Sequence, residues 1–387
     1  MRSQSLPDYD GTGILGLMQS IATACGHARP AYRPLCILPA SRLAPARHIV
    51  LCVIDGLGER TLLRHTGSPH LRRHLLGSLS SVFPSTTASA IPTFMTGLAP
   101  AQHGLTGWHM YLQEIDQTLA ILPLLPRVGP ALHPPENLPA QLFDHPTLFE
   151  ALDRECWVVA PRSIAFSPFN VRHARGAQIA AYASLPEMFG QLAELLASPH
   201  PSYVYAYFPD FDTLSHQYGT GSRQALQALS QFDALFGRLI EQSRGSQSCM
   251  LVTADHGFID SPHRHVVNLN EHPILVELLQ RPLCGERRAA YCYVAADNRP
   301  TFEAYVRRHL SRAVHLYDSR YLIDAGWFGP PPYHPRLAER VGDYTLVGKG
   351  NWTIKDWLPG ERHYAMLGVH GGISDSEMRV PLCAVFI

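Results

Sequence analysis

Residues 48–58 read HIVLCVIDGLG. Six unbroken apolar side chains, Ile49 to Ile54, run straight into Asp55 and Gly56. A strand with one wet face alternates polar and apolar residues, so an uninterrupted run predicts a strand buried on both faces of a parallel sheet. Similar runs occupy residues 156–160 (CWVVA), 203–208 (YVYAYF), 250–254 (MLVTA) and 364–369 (YAMLGV). Between the third and fourth, Leu226, Leu229, Phe232, Leu235, Phe236, Leu239 and Ile240 recur at helical spacing with polar residues between them. Buried strands alternating with amphipathic helices predict an α/β fold with a doubly wound, mostly parallel sheet and helices on both faces.

Two regions interrupt that rhythm. Residues 111–146 are rich in Pro and Leu, and residues 262–362 hold PPPYHP and a Trp-rich patch. The expected organisation is a catalytic core over 1–261 and 363–387, with a loop excursion at 111–146 and an inserted cap at 262–362. In open α/β sheets ligands bind beyond the carboxyl ends of the strands, so both inserts are expected to shape a pocket there.

Bulk composition narrows the function. The 387 residues are 46% apolar and 17% charged, which supplies a large core and argues against disorder. Basic and acidic residues balance at 32 each without a basic tract, so a nucleic-acid duplex or an anionic membrane is not the expected partner. A small phosphorylated ligand needs only local positive charge and stays open; oligomeric state is not legible. Eight cysteines show no CxxC pair and no zinc-finger spacing. The start, MRSQSLPDYDGTG, has no apolar signal region, and no apolar stretch approaches about 18 residues. The expected setting is cytoplasmic.

The chemistry-bearing residues cluster at the ends of the apolar runs. Asp55 closes the first; alone, Asp before Gly reads as a turn starter. Asp255 and His256 close the fourth as LVTADHG, where charged groups beside a buried strand call for pairing or a metal. Asp212 and His216 in FPDFDTLSHQYG stand four apart, one face of a helix; Asp210 competes, but its offset of six fits one face poorly. His370 follows the last run as VHGG. In FPSTTASAIPTFMTG, Ser85, Thr86 and Thr87 begin a predicted short helix, where a hydroxyl can cap the helix or meet a phosphate oxygen. Three carboxylates, three imidazoles and a hydroxyl suit two adjacent divalent ions with a nucleophile between them.

With those segments assembled, the chain resembles the alkaline phosphatase superfamily, in its nucleotide pyrophosphatase/phosphodiesterase branch. The resemblance runs from about residue 48 to the C-terminus, including the closing GVHGGISDSEMRVPL, and is weakest in the cap. The stretch from Phe83-Pro84 through Thr96-Gly97 to His103-Gly104 aligns with the family's nucleophile segment without a gap and implies Thr87 as the nucleophile. The resemblance further implies Asp55, Thr87, Asp255 and His256 around one metal, and Asp212, His216 and His370 around the other. Two zinc ions are implied, and Asp/His ligands also suit manganese. One place departs from the pattern: where better-known members carry a phosphate-contacting Asn, this chain has Trp108, followed by His109. Trp can donate one N–H but cannot copy an amide, so Trp108 and His109 become candidate substrate contacts of another kind.

The implied activity is metal-dependent hydrolysis of a nucleotide-type phosphodiester or pyrophosphate through a covalent threonyl intermediate. The alternatives are a phosphomonoesterase, a phosphonoacetate-type hydrolase, a phosphomutase, and a metal-bound binding module without turnover. A sulfatase is disfavoured because no Cys or Ser stands in a C/S-x-P-x-R context. Lys349, Trp352, Lys355 and Trp357 could clamp a charged aromatic ligand, against the plainer reading of a solvated face with partly buried tryptophans.

Overall fold

The computed structural model describes residues 4–27, 31–129, 137–361 and 364–387. Part of the predicted excursion, residues 130–136, therefore lies outside the described residues. Four of the five apolar runs form neighbouring strands of one seven-stranded sheet: His48–Ile54, Glu155–Pro161, Ser202–Phe208 and Ser248–Thr253. The sheet order is Leu75–Ser80, Arg379–Phe386, Ser248–Thr253, His48–Ile54, Ser202–Phe208, Glu155–Pro161, Gln178–Tyr182. The five strands from Ser248–Thr253 onward pair in parallel, and Arg379–Phe386 pairs antiparallel with both of its neighbours. Every residue of His48–Ile54 is buried, as a strand covered on both faces requires.

The predicted amphipathic helix spans Arg223–Gln242. It starts where the Ser222 hydroxyl accepts the Ala225 N–H, and it buries Leu229, Phe232 and Phe236 completely. Each such side chain contributes about 1.5–3 kcal/mol on burial. Among the described residues no helix is long and apolar enough to cross a membrane.

The fifth run is corrected. In residues 364–369 only Gly368–Val369 is a strand, and it pairs with Ile259–Asp260 outside the main sheet. The C-terminal strand of that sheet is instead Arg379–Phe386, which lies between Leu75–Ser80 and Ser248–Thr253; its Pro381 and charged flank hid it from apolar-run reading.

A second seven-stranded sheet is wholly antiparallel, in the order Val314–Asp318, Tyr344–Gly348, Ala289–Cys292, Cys284–Gly285, His109–Leu112, Gln117–Ala120, Leu125–Pro126. Chain segments more than 150 residues apart thus meet at the pairing of Gly285 with His109. Both glycines near that join are sterically needed: a Cβ on Gly107 would lie 2.8 Å from the Gly285 Cα, and Gly285 has φ +76°. This sheet has its own apolar cluster around Leu275, Phe302, Val306 and Leu346.

Candidate metal centre and active site

The register of the parallel sheet brings the carboxylates to one edge. Ile54 pairs with Phe208 and Val53 with Thr253, so the chain leaves three adjacent strands at the same level. Asp55 is the next residue after the first strand, and Asp255 is the second after Ser248–Thr253. Asp212 and His216 share one face of the helix Asp210–Tyr218, which begins just past the third strand. His370 arrives from Gly368–Val369, and Thr87 is the first residue of the helix Thr87–Thr96.

All seven side chains converge. Two groups, Asp55/Asp255/His256 and Asp212/His216/His370, each place their donor atoms within 4.8 Å of one another. The Thr87 Oγ1 lies 3.4 Å from both Asp55 oxygens and 3.2 Å from His256 Nε2. His256 Nε2 is 3.4 Å from Asp55 Oδ1 and 3.5 Å from Asp255 Oδ2. In the second group His216 Nε2 stands 3.4 Å from Asp212 Oδ1 and 3.2 Å from His370 Nε2. The two groups abut, since the His256 and His370 rings stack with centroids 3.8 Å apart. Asp210, the rival in sequence, is absent from both groups.

The donor chemistry fits divalent cations. Nδ1 of His216, His256 and His370 faces the carbonyl of Gly368, Gly257 and Ser85 at 2.9, 3.1 and 3.1 Å. Each Nδ1 therefore carries the proton and donates it, and each Nε2 lone pair points into the site, the orientation of metal-binding imidazoles. Asp255 Oδ2 and Asp212 Oδ1 are buried without a hydrogen-bond partner among the described residues. Burial, reinforced by the Asp212 and Asp255 charges, holds the Asp55 carboxyl well above the usual carboxylate range, and burial does the same to Asp212. Burial pushes His216 down to about 4 and His370 well below the ordinary imidazole range. Lone pairs facing lone pairs and carboxylates crowding carboxylates are costly unless a cation sits among them.

The three hydroxyls of the triplet point in different directions. Ser85 donates to the Gly372 carbonyl at 2.8 Å and Thr86 to Glu286 at 2.7 Å, whereas of the three only Thr87 faces Asp55 and His256. Thr86 occupies the N-cap position but its side chain accepts no helix N–H, so plain capping does not explain the triplet. Trp108 and His109 both line a cavity of about 240 Å³ that opens beside Thr87 and Asp212. The four cap residues do not gather into one clamp. Lys349 donates to Ser311 O, Trp352 stacks on His265, and of the four only Lys355 lines the cavity.

Sequence reading missed the turn Glu286-Arg287-Arg288 of the second sheet. Glu286 accepts both the Thr86 hydroxyl and the Trp108 N–H at 2.7 Å, and burial raises its carboxyl to about 7. Arg287 lines the cavity, and Arg288 is fully buried in a two-bond pair with Glu377, 2.9 Å at each end. The available signal was a run of three charges set between apolar CG and AAYC.

Comparison with known proteins agrees with this geometry. Residues 49–121 and 159–373 match the family described as type I phosphodiesterase/nucleotide pyrophosphatase. A venom phosphodiesterase of Macrovipera lebetinus is 26% identical over 185 residues, covering 46% of this chain but only 21% of that protein. Murine ectonucleotide pyrophosphatase/phosphodiesterase 5 superposes with a TM-score of 0.63 at 16% identity, over 86% of this chain and 87% of that one; an inactive form of it has been solved with AMP. Phosphonoacetate hydrolase of Sinorhizobium meliloti, solved with phosphonoformate, gives 0.64 at 19% identity, over 88% and 90%. At such identities the superpositions carry the fold, which is alkaline-phosphatase-like. The family match spans well over half of the chain, including every carboxylate and imidazole of the two groups, and so this protein belongs to the type I phosphodiesterase/nucleotide pyrophosphatase family of hydrolases.

Proposed function

We propose that this chain is a two-metal hydrolase of nucleotide-type phosphodiesters or pyrophosphates, with Thr87 as its nucleophile. The observation that supports the reading most is the single hydroxyl of Thr87 facing two abutting groups of metal-ligating side chains. Asp55, Asp255 and His256, with Thr87, would hold one cation; Asp212, His216 and His370 would hold the other, zinc being the best match to the donor set and manganese the next. Bound divalent cations lower the pKa of a hydroxyl or water and offset charge on phosphoryl oxygens. Thr87 Oγ1 loses its proton and bonds to phosphorus while the bond to the leaving oxygen breaks. Water then attacks from the Asp212/His216/His370 side, the Thr87–phosphorus bond breaks, and Thr87 regains a proton. The N-terminal end of the helix that Thr87 begins would favour the negative charge of the phosphoryl oxygens.

AMP bound to the murine relative favours a nucleotide-like substrate, with Trp108 offering an aromatic face at the cavity mouth. The eight free cysteines, seven of them buried, suit a reducing compartment. The test is Thr87→Ala. Turnover of bis(p-nitrophenyl) phosphate should fall by at least about a thousandfold with bound-metal content unchanged. Wild-type turnover in that variant would remove the covalent route, and a preference for p-nitrophenyl phosphate over the diester would move the reading to a monoesterase.

A further inference from the structure

Among the described residues, three carboxylates line the cavity beside Thr87: Asp212, Glu286 and Asp356. Asp212 belongs to a metal-ligating group, and Asp356 pairs with Arg127 at 2.6 Å. Glu286 does neither. Its neighbour Arg287 turns its guanidinium towards Tyr364, 4.9 Å from the ring centre, and makes no ion pair with it. Both hydrogen bonds that Glu286 receives, from the Thr86 hydroxyl and the Trp108 N–H at 2.7 Å, end on Oε1. Oε2 accepts no bond among the described residues and is left to the cavity. The carboxylate is wedged beside the reacting centre. On one side it holds Thr86, the residue before Thr87; on the other it packs against Gly371, the residue after His370, where an added Cβ would lie 2.8 Å from that of Glu286. After burial and Asp255, the Glu286 charge is the next influence that holds the Asp212 carboxyl up. A phosphoryl group touching Thr87 and a cation on the His370 side therefore has Glu286 Oε2 as a neighbour.

We propose that Glu286 is a charge gate at the reacting phosphorus: it admits the single negative charge of a diester and expels the two charges of the monoester that hydrolysis leaves behind. This deepens the function proposed above and rests on it. Three ligand carboxylates leave two divalent cations one net positive charge, which a single phosphoryl charge balances. A second phosphoryl charge is in excess, and Oε2 is the group it meets. Like charges in a cavity of low dielectric repel strongly. The two bonds to Oε1 hold the carboxylate in place, so it does not swing away from the incoming charge. The gate thus acts twice. It selects the substrate, and it clears the product, which gains its second charge as the Thr87–phosphorus bond breaks and cannot return for another round.

The experiment compares the wild type with Glu286→Gln and Glu286→Asp as full chains loaded to equal zinc content. At about pH 8.5 p-nitrophenyl phosphate carries two charges and bis(p-nitrophenyl) phosphate one. Gln keeps an oxygen for Thr86 and Trp108 but removes the charge. The ratio of kcat/KM for the monoester over the diester should therefore rise at least about tenfold. A loss common to both esters, which a purely structural role would cause, cancels in that ratio. Glu286→Asp keeps the charge and should lie nearer to the wild-type ratio than to that of the Gln variant. A second readout needs no turnover: calorimetric titration with inorganic phosphate should give Glu286→Gln a Kd at least about tenfold lower than wild type. A ratio within about threefold of wild type, or phosphate bound no more tightly by the Gln variant, overturns the gate and leaves the proposed function standing. A wild type that is inert on the diester, or that prefers the monoester, overturns that function, and the phosphate titration then still decides the gate.

Discussion

Asp55 shows how one residue carries both a fold and a site. Its N–H continues the strand ladder to the Phe208 carbonyl, while its carboxylate lies between Thr87 and His256 and accepts the Tyr207 hydroxyl. A carboxylate beside Asp212 and Asp255 is repelled when no cation is bound. Replacing it by Asn removes that repulsion at nearly constant shape. In chelator-treated protein, Asp55→Asn should therefore be more stable than wild type by about 1–3 kcal/mol near pH 8. Added zinc should raise the Tm of wild type by several degrees and that of the variant by much less. Calorimetry with and without zinc reads both, and an equal zinc response in the two proteins would contradict the ligand assignment. Glu286 tests a neighbouring point. Glu286→Ala frees both the Thr86 hydroxyl and the Trp108 amide, so kcat should fall while metal content holds; unchanged kcat would leave that carboxyl as packing alone.

At the scale of elements, the turn at residues 286–288 joins the second sheet to the core. Arg288 pairs with Glu377 through two bonds, and Glu377 also accepts the Gly372 N–H and the Ser374 hydroxyl, which fixes the segment just after His370. Arg288→Met strands a buried carboxylate and should cost about 3–5 kcal/mol in urea denaturation. Adding Glu377→Gln should recover part of that loss; a double variant as unstable as the sum of the singles would show that the two act independently. The strands that bear the site were legible because burial on both faces demands apolar runs, as in His48–Ile54 and Ser202–Phe208. Elements that meet other demands were not. Leu75–Ser80 is an edge strand of mostly intermediate burial, and Arg379–Phe386 contains a proline. Asp55, Asp255 and His256 were legible because they close such runs, whereas Thr87 stands at a helix start and was singled out among Ser85, Thr86 and Thr87 only by the family resemblance. Glu286 and Arg287 were not legible, because their partners Thr86 and Tyr364 lie 200 and 77 residues away and only the antiparallel sheet brings them in.

Across the whole molecule, a second histidine cluster ties distant parts of the chain together. His103, at the end of the helix Pro100–His103, lies with its ring 6.0 Å from that of His145; His145 Nε2 meets His173 Nε2 at 2.9 Å; and the His334 N–H reaches the Ala101 carbonyl at 2.6 Å. His173 Nδ1 donates to Phe169 O, so its Nε2 must accept from His145, and both rings are neutral in this arrangement. Burial holds His173 at about 4, with Arg175 and Arg172 adding to the effect; it holds His334 at about 4, with Arg340 and Arg336 opposing Glu114. An unfolded imidazole titrates near 6.5, so above that pH these rings leave folding untouched. As pH falls from about 6.5 towards about 4, the unfolded chain takes up protons that the folded one refuses, and stability is lost by about 1.4 kcal/mol per ring per pH unit. The His173 ring stacks on Phe169 and stands edge-near Phe143, so a phenyl ring fits the same place without a proton to gain. His173→Phe should therefore gain on wild type by about 1.4 kcal/mol for each pH unit below 6.5, with contributions from the metal site cancelling in the difference. Urea midpoints at pH 7 and pH 5.5 measure that gain, and ring resonances of labelled histidine should show His103 and His173 still neutral at pH 5.5. A gap between variant and wild type that does not change with pH would show that the cluster takes up protons freely in the folded state.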